Sequence, residues 1–107
     1  MSWEEKYILY KKLVQKAGFQ LKGKTVPYTS DNGRMFSQLN KIGELGIRFS
    51  SESQEKYIKK LNTAAFKSFG SEMKGYVLMP EYLWKDLDTL VRYLRESHDH
   101  IVSFEKK

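Results

Sequence analysis

Apolar residues at helical spacing predict a first helix over residues 2–17. Its apolar face is formed by residues three or four positions apart: Trp3, Tyr7, Tyr10, Val14 and Ala17, with Leu13 beside them. Ser2 and Glu5 have the spacing of a capping box, in which each side chain binds a free backbone amide of the other residue. Gly18 follows the last apolar position and is a typical helix stop.

Alternation of apolar and polar residues then predicts three strands. They cover residues 24–29, 34–39 and 44–49, with turns at residues 30–33 and 40–43. Asn32 and Gly33 suit a tight turn because both adopt positive φ readily, and Pro27 argues for an edge position or a bulge. Strict alternation places the side chains of each strand on two faces. In the second strand, Met35, Ser37 and Leu39 lie opposite Phe36 and Gln38. In the third strand, Leu45, Ile47 and Phe49 lie opposite Gly46, Arg48 and Ser50.

The second half of the chain predicts a helix over residues 52–61, capped by Ser50 or Ser51, and strands over residues 63–69 and 75–79. A turn at residues 81–84 precedes a last helix over residues 86–103. The apolar stripe of this helix is Leu87, Leu90, Val91, Leu94 and Ile101. The order α-β-β-β-α-β-β-α predicts one domain over residues 1–107, an α+β two-layer sandwich with a mostly antiparallel five-stranded sheet. We expect helices to cover one face of the sheet and to leave the other partly open.

Composition narrows the function classes. The chain has no cysteine, which excludes disulfides and thiolate metal sites or nucleophiles. No apolar run approaches the roughly 20 residues of a membrane span, and the N-terminal residues MSWEEKY are acidic where a signal peptide is basic. We therefore expect a cytoplasmic protein without membrane partners. The net charge of +6 allows contact with polyanions, although the lysines are spread along the chain.

The sequence predicts neither a metal site nor a cofactor site. His98 and His100 are two positions apart, so they point to different sides of a helix and cannot share an ion. The spacing of His98 after Leu94 favours a packing role at the rim of the core. The glycines stand singly rather than in a phosphate-binding loop. We therefore expect a non-enzymatic protein.

Several motifs resemble the N-terminal domain family of TfoX, the bacterial competence regulator. The matching positions lie between about residues 30 and 97: Met35-Phe36, Arg48, Met73-Lys74-Gly75-Tyr76-Val77, Pro80, Leu90 and Leu94. The MmcQ/YjbR family is a related alternative. The resemblance implies a secretion-chaperone-like α-β(3)-α-β(2)-α arrangement, and it implies little about function because fold does not carry function.

Basic and aromatic residues form the candidate binding surface. Its members are Arg34, Phe36, Arg48, Lys74, Tyr76, Tyr82 and Trp84. Arginine beside aromatic rings on an open sheet face can bind acidic groups or stack on bases. The alternative is a structural role, in which the arginines pair with Glu44 or Glu72 or cover Phe36. We expect a protein-interaction or regulatory module that forms a homodimer and binds an acidic protein partner, with nucleic-acid binding as the alternative function.

Overall fold

A computed structural model describes the backbone of residues 1–106 and the side chains of residues 1–104. The helices and strands are α1 Trp3–Ala17, β1 Tyr28–Asp31, β2 Arg34–Leu39, β3 Leu45–Arg48, α2 Ser51–Lys60, β4 Ala65–Ser68, β5 Ser71–Leu78 and α3 Leu87–Val102. Short 3₁₀ turns cover Glu81–Lys85 and Ser103–Lys106. The predicted α-β(3)-α-β(2)-α order is confirmed, and the protein is an α+β sandwich.

The sheet is antiparallel throughout, with the strand order β1-β2-β3-β5-β4. One face lies under α1 and α3, where Ile47 pairs with Ser37 on one side and with Val77 on the other. The Tyr10 hydroxyl of α1 lies 2.6 Å from the Ser37 hydroxyl, and the Thr29 hydroxyl lies 2.6 Å from the same Ser37 oxygen. Burial of the apolar residues on this face supplies the main stabilisation of the fold.

Local signals set the helix ends where the sequence places them. The Ser2 hydroxyl accepts a hydrogen bond from the Glu5 amide, and the Glu5 carboxylate accepts one from the Ser2 amide, so the capping box is complete. Gly18 ends α1 at a φ of 89°. Asp86 caps α3 by accepting from the Thr89 amide.

A β-bulge in β2 changes the predicted faces. Thr29 pairs with Ser37 and Ser30 pairs with Met35, so Phe36 is an extra residue with no partner on β1. The Phe36 side chain therefore turns to the helix-covered face, where its exposed fraction is 1%. Met35 lies on the other face, with its sulfur 3.7 Å from Gln38 Nε2. The alternation predicted for Met35 and Phe36 is wrong for this reason.

The second sheet face is filled in its centre rather than open. The register between β4 and β5 shifts so that Ala65 pairs with Val77 but Lys67 pairs with Glu72. The sheet curls, and β4 contacts β3 across β5. Phe66 lies fully buried over Gly46, whose missing Cβ leaves room for the ring.

Several strand boundaries differ from the prediction, and the largest differences are at the starts of β1 and β5. The first strand begins at Tyr28 rather than at residue 24, after Pro27, and Tyr28 also bridges to Lys22. β5 begins at Ser71, where a loop was predicted, because a two-residue turn at Phe69 and Gly70 leads directly into it. None of the helices in the described part of the chain is long and apolar enough to cross a membrane.

Candidate functional site

A groove forms where the end of β3, the start of α2 and the end of α3 meet. Its volume is about 370 Å³. We call it the cationic groove, and it is lined by Arg48, Phe49, Ser50, Ser51, Gln54, Lys74, Gly75, His100 and Phe104. The groove brings together two of the three predicted basic residues, Arg48 and Lys74.

Arg48 is held in place by its surroundings. It pairs with Tyr76 in the register of β3 and β5. Its side chain lies over Gly75, where an added Cβ would come within 3.4 Å of Arg48 Cγ. The guanidinium carbon lies 5.5 Å from the centre of the Phe104 ring, a cation–π distance. A half-buried and positioned guanidinium loses less conformational entropy when it binds an anion than a free one would.

Arg34, the third predicted basic residue, approaches the same aromatic ring. Its guanidinium carbon lies 5.3 Å from the centre of the Phe104 ring. Phe104 therefore contacts both Arg34 and Arg48. The two arginines belong to β2 and β3, and the ring links them at one end of the sheet.

No described side chain neutralises the charges of Arg48 and Lys74 in the cationic groove. Among residues 1–104, no carboxylate forms an ion pair with Arg48 or Lys74; the carboxylates of Glu81, Asp88 and Asp31 pair elsewhere. Burial, and then the charge of Arg48, lowers the pKa of His100, while Glu96 opposes the shift. The electrostatic potential in the groove therefore favours an anionic ligand.

The start of α2 adds partial positive charge to the same groove. Ser50 caps the helix and accepts a hydrogen bond from the Ser53 amide at 3.2 Å. Ser51 follows it and lines the groove. The backbone dipoles of a helix favour an anion near its first turn, although Glu52 in that turn partly offsets them here.

The structure divides the predicted aromatic set. Three of its rings are buried in the fold and cannot contact a partner directly: Phe36, Tyr76 and Trp84. Their predicted place on an accessible surface is therefore wrong, because the β2 bulge and the curl of the sheet cover the first two. Tyr82 is 60% exposed on the 3₁₀ turn before α3.

His100 and Phe104 are among the residues of the cationic groove that were not predicted as part of a binding surface. Their rings lie 4.8 Å apart in an edge arrangement. The four-residue spacing from His100 to Phe104 is a signal that the two side chains neighbour one another on a helical turn. The contact of Phe104 with Arg48 has no comparable local signal, because it joins the end of the chain to the middle of the sheet.

His98 lies apart from the cationic groove. Its Nε2 is 2.6 Å from Asp31 Oδ2, which joins α3 to β1. Its ring packs against Phe19 and Phe36 at centroid distances of 4.8 and 5.4 Å. These contacts give His98 a packing position at the rim of the core.

Comparison with known proteins finds no family model that matches this chain and no curated protein with significant sequence similarity to it.

Proposed function

We propose that this protein is a cytoplasmic protein-interaction or regulatory module of the TfoX N-terminal type, and that its cationic groove binds an acidic segment of a partner protein. One observation carries the proposal. Arg48 and Lys74 line the same groove, and among the described side chains neither has a carboxylate partner. Cations left in this state gain more from an incoming carboxylate than paired cations do.

The shape of the site favours a peptide over a nucleic acid. Proteins that bind single strands stack bases on exposed aromatic rings, but the Tyr76 and Phe36 rings of the sheet are buried. A groove of about 370 Å³ accommodates a few side chains rather than a strand of nucleotides. Nucleic-acid binding is therefore the competing outcome of the test.

The test measures the binding of a fluorescein-labelled hexaglutamate peptide by fluorescence anisotropy at low salt. The double variant Arg48→Gln/Lys74→Gln should weaken binding by about tenfold or more, equivalent to about 1.4 kcal/mol. The double variant Lys11→Gln/Lys12→Gln is the matched control, because it removes the same charge from exposed positions on α1. We expect it to change the affinity less than about twofold.

Equal losses of affinity for the peptide in both double variants would show that only the net charge of the protein matters, and would contradict the proposed site. A labelled single-stranded oligonucleotide serves as the second probe. Tighter binding of the oligonucleotide than of the peptide, with an affinity that falls steeply with salt and depends on Arg48, would replace the proposal with nucleic-acid binding.

A homodimer is the second part of the proposal. The exposed Tyr82 supports it, since aromatic residues are enriched in interfaces. Light scattering at high micromolar concentration should give twice the mass of one chain. A monomer mass at that concentration would contradict the dimer and leave the cationic groove unaffected.

A further inference from the structure

Two turns in this protein have the same backbone form but different sequences. Asn32 and Gly33 connect β1 to β2 with φ values of 51° and 78°, and Phe69 and Gly70 connect β4 to β5 with φ values of 54° and 79°. A two-residue turn with two positive φ values strongly prefers Asn-Gly. Phenylalanine in this backbone region is strained because its Cβ crowds the carbonyl oxygen. Asparagine would therefore suit the backbone of this turn better than Phe69 does, and the turn geometry does not explain why phenylalanine is present.

Burial does not compensate the strain at Phe69. Its side chain is 73% exposed, and Ile42, on the loop between β2 and β3, is 75% exposed. These are the two most exposed large apolar side chains among the described residues. Both line one pocket of about 380 Å³, which lies between the two loops.

Asn40 fixes the walls of this pocket. Its Nδ2 donates to the Lys67 carbonyl at 2.9 Å and to Glu44 Oε1 at 3.1 Å. Its Oδ1 accepts from the amides of Ile42 and Glu44 at 3.2 and 2.8 Å. The side chain is almost fully buried, so the two loops keep their relative position without a ligand. A pre-formed pocket loses little conformational entropy on binding.

The positive charge of two lysines around the pocket favours an occupant that carries negative charge. Lys41 lies with Nζ 5.4 Å from the centre of the Phe69 ring, and Lys67 is exposed on β4. Glu44 is the one carboxylate in the lining, and it already accepts a hydrogen bond from Asn40. A second copy of the chain placed symmetrically on this surface would bring Lys41 and Lys67 against like charges, which is unfavourable.

We propose that Lys41, Ile42, Lys67 and Phe69 form a docking site, the hairpin-tip patch, for a segment of another protein that carries a large apolar side chain flanked by Asp or Glu. The apolar side chain enters between Ile42 and Phe69, and the carboxylates meet the two lysines. The hairpin-tip patch shares no lining residue with the cationic groove, so the proposal does not depend on that site.

The experiment selects binders from a phage-displayed library of random dodecapeptides on the wild-type protein and counter-selects on Phe69→Asn. Asparagine tolerates positive φ, so this variant should fold and melt at or above the wild-type temperature. We expect the retained peptides to share an aromatic or long aliphatic residue next to Asp or Glu. The binding of a labelled consensus peptide should weaken by about tenfold or more in Phe69→Asn and in Ile42→Gln.

Two controls complete the design. Ile8→Gln removes another exposed apolar side chain, on α1, and should change the affinity less than about twofold. Lys41→Gln/Lys67→Gln should weaken binding several-fold, with the loss reduced at high salt.

The proposal is overturned if no selected peptide depends on Phe69, or if the dependent peptides lack carboxylates. It is also overturned if sedimentation shows that the wild type associates with itself through this patch while Phe69→Asn does not, because the occupant would then be a second copy.

Discussion

The Tyr76 hydroxyl donates a 2.8 Å hydrogen bond to the Met35 carbonyl. The two residues belong to β5 and β2, which are separated by β3 in the sheet. The bond crosses the second sheet face beside Phe66, whose ring centre lies 6.0 Å from that of Tyr76. Burial raises the pKa of the Tyr76 hydroxyl, so it keeps its proton and remains a donor. One side chain thus fixes the curl of the sheet and supports the strand pairing that positions Arg48.

We expect Tyr76→Phe to lower the free energy of unfolding by about 1 to 2 kcal/mol, because the Met35 carbonyl loses its side-chain partner in a partly buried place. Urea denaturation followed by circular dichroism measures the change. Tyr82→Phe is the matched control, since its hydroxyl is on an exposed residue, and it should alter stability by less than about 0.5 kcal/mol. A neutral Tyr76→Phe variant would show that the bond does not support the fold.

Gly46→Ala should destabilise the protein by about 1 to 3 kcal/mol, since the added Cβ would overlap the ring of Phe66. The double variant Gly46→Ala/Phe66→Ala tests the cause. Alanine at position 66 removes the Cγ and Cδ atoms that the new methyl group would overlap, so the cost of the pair should be smaller than the sum of the single costs. Additive costs would mean that the glycine serves the backbone rather than the packing of Phe66.

The pKa of His100 should lie below its ordinary value of 6.5, because burial and the charge of Arg48 both disfavour the imidazolium. Just below pH 6.5 the unfolded chain then binds more protons at His100 than the folded protein does. The free energy of unfolding consequently increases as the pH rises from the folded-state pKa of His100 towards 6.5. Below the folded-state pKa, the loss of stability caused by protonation of His100 is complete. Proton NMR titration of the imidazole signal, assigned with His100→Gln, measures the value.

Arg48→Gln should move the pKa of His100 upwards, and Glu96→Gln should move it downwards, since Glu96 favours the charged ring. An unchanged titration in Arg48→Gln would contradict the electrostatic link between the two residues in the cationic groove.

Exchange of the residues in the two similar turns should have opposite effects on stability. Phe69→Asn should raise the free energy of unfolding by up to about 1 kcal/mol, since Asn relieves the backbone strain while the exposed cation–π contact with Lys41 is lost. Asn32→Phe should lower it by about 1 to 2 kcal/mol. Thermal denaturation of the two single variants measures both changes in stability. A destabilised Phe69→Asn variant would show that Phe69 stabilises the fold.

The parts of the fold that the sequence predicts are those with local causes. The ends of α1 follow from Ser2, Glu5 and Gly18, and the hairpin turn follows from Asn32 and Gly33. Each of these effects acts within a few residues along the chain, so the pattern of residue types is enough to locate it.

The wrong predictions about side-chain faces and burial have causes outside the segments for which they were made. Phe36 was assigned to the wrong face because its bulge arises from pairing with β1, and nothing in residues 34–39 marks an extra residue. Burial of Tyr76 depends on the curl of β4 over β3. The same limit applies to binding sites: Phe104 meets Arg34 and Arg48, and Ile42 meets the pocket of Phe69, only after the chain has folded.

Asn40 also contacts α1, since its carbonyl accepts a 2.9 Å hydrogen bond from the indole nitrogen of Trp3. The side chain of Asn40 holds both walls of the pocket between Ile42 and Phe69. Asn40 therefore joins those walls to an indole at the start of α1. The second tryptophan, Trp84, is buried in the core. The emission of Trp3, compared with that of a Trp3→Phe variant, is therefore a label-free test of whether occupation of the pocket displaces its walls.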